Sequence, residues 1–164
     1  MSETPLSLAV VLFERFVRFR TANITALDTV PEDACDIIPA GLRNNIHWQA
    51  GHLATVQASL LYRRCGVDAP LDDSWFASFA KGTSPSDWSG STPSYADART
   101  QLRALVDRTR SDLPSLAGLA YPEPVTVTGG ERLSTFLDAL GFLTIHEALH
   151  LGTINTMRRL AAVR

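Results

Sequence analysis

His146-Glu147-Ala148-Leu149-His150 is the stretch of this chain whose residue types and spacing can do chemistry. On a helix, four residues rise about 6 Å and return to nearly the same face. Both imidazoles can then reach one metal ion while the backbone between them stays hydrogen-bonded. A third imidazole lies far upstream, in a second apolar segment that holds His47 and His52. Three histidines on two helices would leave a zinc-like ion with an open coordination position, as in a catalytic rather than a structural site.

His47 and His52 are five residues apart, about 140° of helical rotation, so they cannot both face one point in a core. Ile46, Leu53, Val56 and Leu60 mark the apolar face, and His52 sits near it. Periodicity favours His52 without deciding the matter. A lone histidine is by default a satisfied core or surface residue; a pair at i and i+4 in an apolar helix departs from that default.

H-E-x-x-H is also the zinc-peptidase motif, with its glutamate as general base. That chemistry takes a third ligand from downstream. The tail after His150 contains no His, Asp or Glu, so the peptidase reading lacks a ligand.

Four long helical patterns must position these residues. The first runs from about residue 6 to 27, with Leu8, Leu12, Phe16 and Phe19 on one face, widened by Val10, Phe13 and Val17. Glu14, Arg15, Arg18 and Arg20 fall mainly on the other side. The second runs from about Arg43 to a stop at Gly66. The third starts at Thr92-Pro93 and stops before Pro114. The fourth runs from Ser134, as its cap, to about Ala161. Asn44 and Asn45 are candidate caps for the second helix. Between the second and third lies a Ser/Asp/Gly/Pro-rich stretch, residues 67 to 92. Its Trp75, Phe76, Phe79 and Trp88 argue for a packed loop with a short helix at 74 to 80. Val125 to Thr128 before Gly129-Gly130 is a short extended piece that does not justify a sheet. The expectation is an all-α four-helix bundle in one domain, residues 1–164.

Composition is that of a globular protein: 45% hydrophobic, 20% charged, net charge −2. No basic stripe suggests a nucleic-acid partner. The apolar run from Leu6 to Phe13 is too short to span a bilayer, and the start Met1-Ser2-Glu3-Thr4 lacks the basic opening of a secretory signal. The expectation is a cytoplasmic protein with no membrane partner. Cys35 and Cys65 then read as free thiols.

Two segments together carry a family resemblance. Asn45-Ile46-His47-Trp48-Gln49-Ala50-Gly51-His52-Leu53 resembles the N-x-x-W-x-x-x-H-L segment of DinB/YfiT-like proteins. His146 to Ile154 resembles their H-E-x-x-H-x-G-x-I segment, in the same order. The resemblance implies an up-down-down-up bundle and a divalent ion (Zn, Ni or Fe) held by His52, His146 and His150. His47 has no counterpart among those ligands. Homodimers are common in the family. Its characterised members include thiol-dependent S-transferases and a maleylpyruvate isomerase that use low-molecular-weight thiols; many others have no assigned activity.

The leading functional expectation is a metal-dependent transferase joining such a thiol to small electrophiles. The alternatives are a metal-dependent hydrolase and a non-enzymatic, stress-related helical dimer. Glu147, rotated about 100° from His146, is a candidate proton acceptor, a support to the ligands, or a helix-surface carboxylate. Trp48, one turn before His52, lines the pocket floor or only packs in the core.

Overall fold

The computed structural model describes residues 4–161; the reading of residues 1–3 as lacking a secretory start lies outside them. The first helix, α1, spans Pro5–Asp28. Thr4 caps it by accepting the Ser7 amide, and Pro5 occupies the first turn, where its missing N–H costs nothing. Its buried stripe is Ala9, Phe13, Phe16, Arg20, Asn23 and Leu27, alternating steps of four and three. This stripe is rotated from the expected one: Phe19 is exposed, whereas Arg20 is completely buried.

Helix α2, Ile46–Leu61, is buried on almost every side. Asn45 caps it, accepting the Trp48 amide at 2.8 Å, so it starts later than Arg43. A 3-10 turn at Arg63–Cys65 follows, stopped by Gly66 at φ 74°, a left-handed conformation that glycine adopts without strain. The short helix α3, Asp73–Phe79, lies where the aromatic loop was expected to hold one.

Helix α4 spans Tyr95–Leu116 and opens with a reciprocal capping box between Ser94 and Asp97, not at Thr92. It passes through Pro114 instead of stopping before it. The proline sits in the last turn, and the helix continues because Leu113, Leu116 and Ala117 are all buried in the core.

An antiparallel pair follows, β1 (Ala120–Thr126) with β2 (Arg132–Thr135), joined through Gly129 and Gly130 at positive φ. The all-α expectation is corrected here. Tyr121 and Leu133 anchor the hairpin in the core, and the Tyr121 hydroxyl donates to the Leu60 carbonyl at 2.5 Å. β2 runs directly into α5, Phe136–Ala161. The start of α5 is secured by Asp138, which accepts the amides of Ser134 and Thr135, and by Thr135 Oγ1, which accepts the Asp138 amide. Ser134 is therefore not its cap.

Each of the four long helices packs against two of the others: α1 on α4 and α5, and α2 on the same two. The buried apolar residues form two clusters. One holds Leu27, Ile46, Leu53, Leu105 and Ile154; the other holds Phe13, Phe16, Leu61, Leu113 and Leu143. A belt of buried polar residues lies between them. Among the described residues, no helix is long and apolar enough to cross a membrane.

Candidate metal centre

Helix α2 brings His52, and α5 brings His146 and His150, to one place. A nitrogen from each lies within 4.8 Å of those from the other two. The ring centroids are 5.3 Å apart for His52–His146, 5.1 Å for His52–His150 and 4.3 Å for His146–His150.

Two of the rings are oriented by carbonyl oxygens. His52 Nδ1 donates to the Phe79 carbonyl at 2.7 Å. His150 Nδ1 donates to the side-chain oxygen of Gln49 at 2.5 Å. A carbonyl only accepts, so each Nδ1 carries the proton and each Nε2 keeps its lone pair. His146 differs: its Nδ1 is buried and meets no hydrogen-bond partner. A buried polar atom left this way is costly unless a water or a cation meets it. The donor set therefore fits a divalent ion of the zinc, nickel or iron type.

Electrostatics keep the rings neutral. Burial lowers the His52 imidazole to about 4, against a raising effect of its bond to Phe79. Burial, then the neighbouring His150 and His52, lower His146 to about 2. Burial, then His52, lowers His150 to about 3. At neutral pH all three lone pairs are available.

Gly51 explains how α3 comes close enough to orient His52. A Cβ there would overlap the Phe79 ring. The absence of that atom lets Phe79 sit on α2 with its carbonyl aimed at the next residue, His52. On the other side, Trp48 stacks on His52 with ring centroids 4.4 Å apart and planes 14° apart. The Trp48 indole N–H donates to Thr83 Oγ1, which fixes the stack. Trp48 thus both packs on the His52 ring and lines the adjoining cavity.

His47 is placed away from the triad. Its Nδ1 lies 2.8 Å from Asp36 and its Nε2 lies 2.9 Å from the Pro93 carbonyl. Both nitrogens face acceptors. Nitrogen, oxygen and sulfur atoms of His47, Asp36 and Cys35 also converge within 4.8 Å. There the Cys35 thiol donates to the Glu32 carbonyl, and burial pushes its pKa up to about 12.

Glu147 is fully buried rather than on the helix surface. Arg20 grips it from α1, Nε to Oε2 at 3.0 Å and Nη2 to Oε1 at 2.7 Å. Asn23 donates to Oε2 at 2.9 Å. Arg20 also donates to Gln57 Oε1 and to the Leu53 carbonyl. Gln57 continues to Thr109, and Thr109 to Tyr62. This belt joins all four long helices. Sequence reasoning placed Arg20 on the polar side and passed over Asn23, Gln57 and Thr109. The signal was present: Arg20 and Asn23 continue the four-three spacing of Ala9, Phe13 and Phe16.

The triad opens onto a cavity of about 580 Å³ between α2, α5 and the hairpin turn. Val56, Leu60, Phe76 and Phe142 give it apolar walls, and Lys81 and Glu131 are the charged residues lining it. Trp48, the three histidines and residues 125–129 of the hairpin also line it.

The family model of the DinB superfamily matches residues 15–154. The crystal structure of a conserved protein from Enterococcus faecalis has the same fold, with a TM-score of 0.64 and 18% identity over 94% of this chain and 96% of that one. No curated protein matches the sequence.

Proposed function

The chain belongs to the DinB superfamily, and on that premise we propose that it is a metal-dependent transferase joining a low-molecular-weight thiol to small electrophiles. His52, His146 and His150 are its metal ligands in this reading. The observation that carries it is the convergence of three neutral imidazoles, two held by carbonyls and one with a buried, partnerless nitrogen. The up-down-down-up bundle belongs to the same reading. It is supported by α1 and α5 running from the Phe13 cluster towards the Leu27 cluster while α2 and α4 run the other way.

A divalent ion held there supplies Lewis acidity that makes a thiol or a water more acidic at neutral pH. The chain's own residues do the rest. Phe79 and Gln49 fix the two ring tautomers, so each Nε2 keeps a lone pair free for an ion. Glu147 has both carboxylate oxygens engaged by Arg20, and Asn23 adds a third bond. We assign it the role of holding α5 in register, in place of proton transfer. The apolar cavity walls flank the reacting groups on the side open to a ligand.

Metal analysis of protein purified without a histidine tag tests the site: one ion per chain is expected, lost in His150→Ala. Adding thiols one at a time and following monochlorobimane conjugation tests the transfer. Turnover that is indifferent to omitting the thiol would replace transfer with hydrolysis. A metal-free chain unaffected by His150→Ala would leave only a helical scaffold.

A further inference from the structure

We infer that the histidine-lined cavity takes a ligand with an apolar body and one anionic group, and that Lys81 recognises that group. The inference rests on reading this cavity as the pocket of the proposed metal centre, and it specifies the ligand's chemistry.

The walls set the body. At about 580 Å³ the cavity has the size of a small-molecule site. Ile145 and Leu149 line it one helical turn apart on α5 and are 55% and 63% exposed. With Val56, Leu60 and Phe142 they form an apolar surface beside His146 that a ligand's hydrocarbon part would cover.

The charge comes from one residue. Lys81 is the only lysine in the chain, and it lines this cavity. It follows Phe79, whose carbonyl orients His52, by two residues, so the ammonium and the triad are held by one turn. Its Nζ lies 3.3 Å from Thr128 Oγ1, across the mouth on the hairpin turn. Among the described residues it is in no ion pair. An ammonium has three donors, so two remain for a ligand. Arg20, the cation beneath the histidines, is wholly buried and tied to Glu147, Gln57 and the Leu53 carbonyl. Glu131 also lines the cavity and would favour a cationic ligand. Lys81 is the better anchor because Thr128 holds it across the opening, whereas the Glu131 carboxylate makes no ion pair or side-chain hydrogen bond among the described residues.

Calorimetric titration of the full chain with octanoate, 1-octanol and octylammonium tests this, first as purified and again after EDTA. Octanoate is expected to bind about three- to fivefold more tightly than octanol, the upper scale of an exposed ion pair. Lys81→Met should abolish that preference in both states and leave octanol unchanged; Lys81→Arg should keep it. The inference is overturned if the preference survives Lys81→Met, if it vanishes on EDTA treatment, or if octylammonium binds most tightly. Metal content is measured on the same samples. A chain that binds no ion yet keeps the lysine-dependent preference would sink the metal reading alone, whereas a metal-loaded chain without the preference would sink this inference alone.

Discussion

Arg20 and Glu147 are 127 positions apart in sequence and meet as a two-pronged ion pair, both side chains wholly out of water. A buried pair of this kind contributes little net stability against an apolar pair of the same shape, because both charges lose their hydration. Its removal by halves is another matter. Glu147→Gln leaves the Arg20 charge buried without a counter-charge, and Arg20→Met strands the carboxylate. Each single change is expected to destabilise by about 3–5 kcal/mol. The double variant Arg20→Met/Glu147→Gln should lose clearly less than the two losses added. Urea unfolding of all four proteins measures the coupling, and simple additivity would mean that the pair does not act as a unit.

Gly51→Ala is expected to act on the metal centre without touching a ligand. The new methyl meets the Phe79 ring. Relief requires α3 to retreat, taking with it the carbonyl that orients His52. Loss of such an orienting partner typically costs about 10–100-fold in metal affinity, and overpacking adds about 1–3 kcal/mol of instability. Competition with a chromogenic chelator reads the first, and thermal unfolding the second. Unchanged affinity would show that Phe79 does not set the ring.

Acid should unfold the metal-free protein earlier than its composition suggests. His52, His146 and His150 are held by burial at about 4, 2 and 3, below the ordinary value of 6.5. The unfolded chain therefore binds more protons than the folded one between pH 6.5 and about 2, all three groups contributing down to about 4. Stability is fully present above 6.5 and is lost as pH falls through that window. Melting temperatures of EDTA-treated protein across pH 4 to 8 should show this slope. His146→Phe, which removes one of the three groups, should make it shallower by about a third. A flat profile in the unaltered protein would contradict the neutral, buried imidazoles.

Restoring zinc should raise the melting temperature in proportion to the logarithm of its excess over Kd. At a hundredfold excess the gain is about 2.7 kcal/mol. His150→Ala should be indifferent to the addition. A rise of equal size in that variant would place the ion elsewhere, the Cys35, Asp36 and His47 cluster being the first alternative.

The helices were legible because their apolar spacing repeats over many turns, and the histidines because two share a four-residue interval. The polar belt was not, since a reading that sorts Arg20 or Gln57 by polarity assigns it to water; only the chain's return through Glu147 makes its burial affordable. The hairpin was missed for a related reason. Pro122 and Pro124 disguise β1 as a loop, Glu123 breaks the alternation of Tyr121, Val125 and Val127, and the pairing with Leu133 depends on tertiary contact. Pro114 misled as a stop because a proline within the final turn forfeits little when the residues after it are packed.

Trp48 lies flat against His52. An indole in face contact with a ring that takes up a proton or an open-shell cation changes its emission when that happens. Trp75 and Trp88 supply a background that does not share this stacking. The protein therefore carries its own optical gauge, and occupancy of the centre can be followed in unlabelled material by the light it gives back.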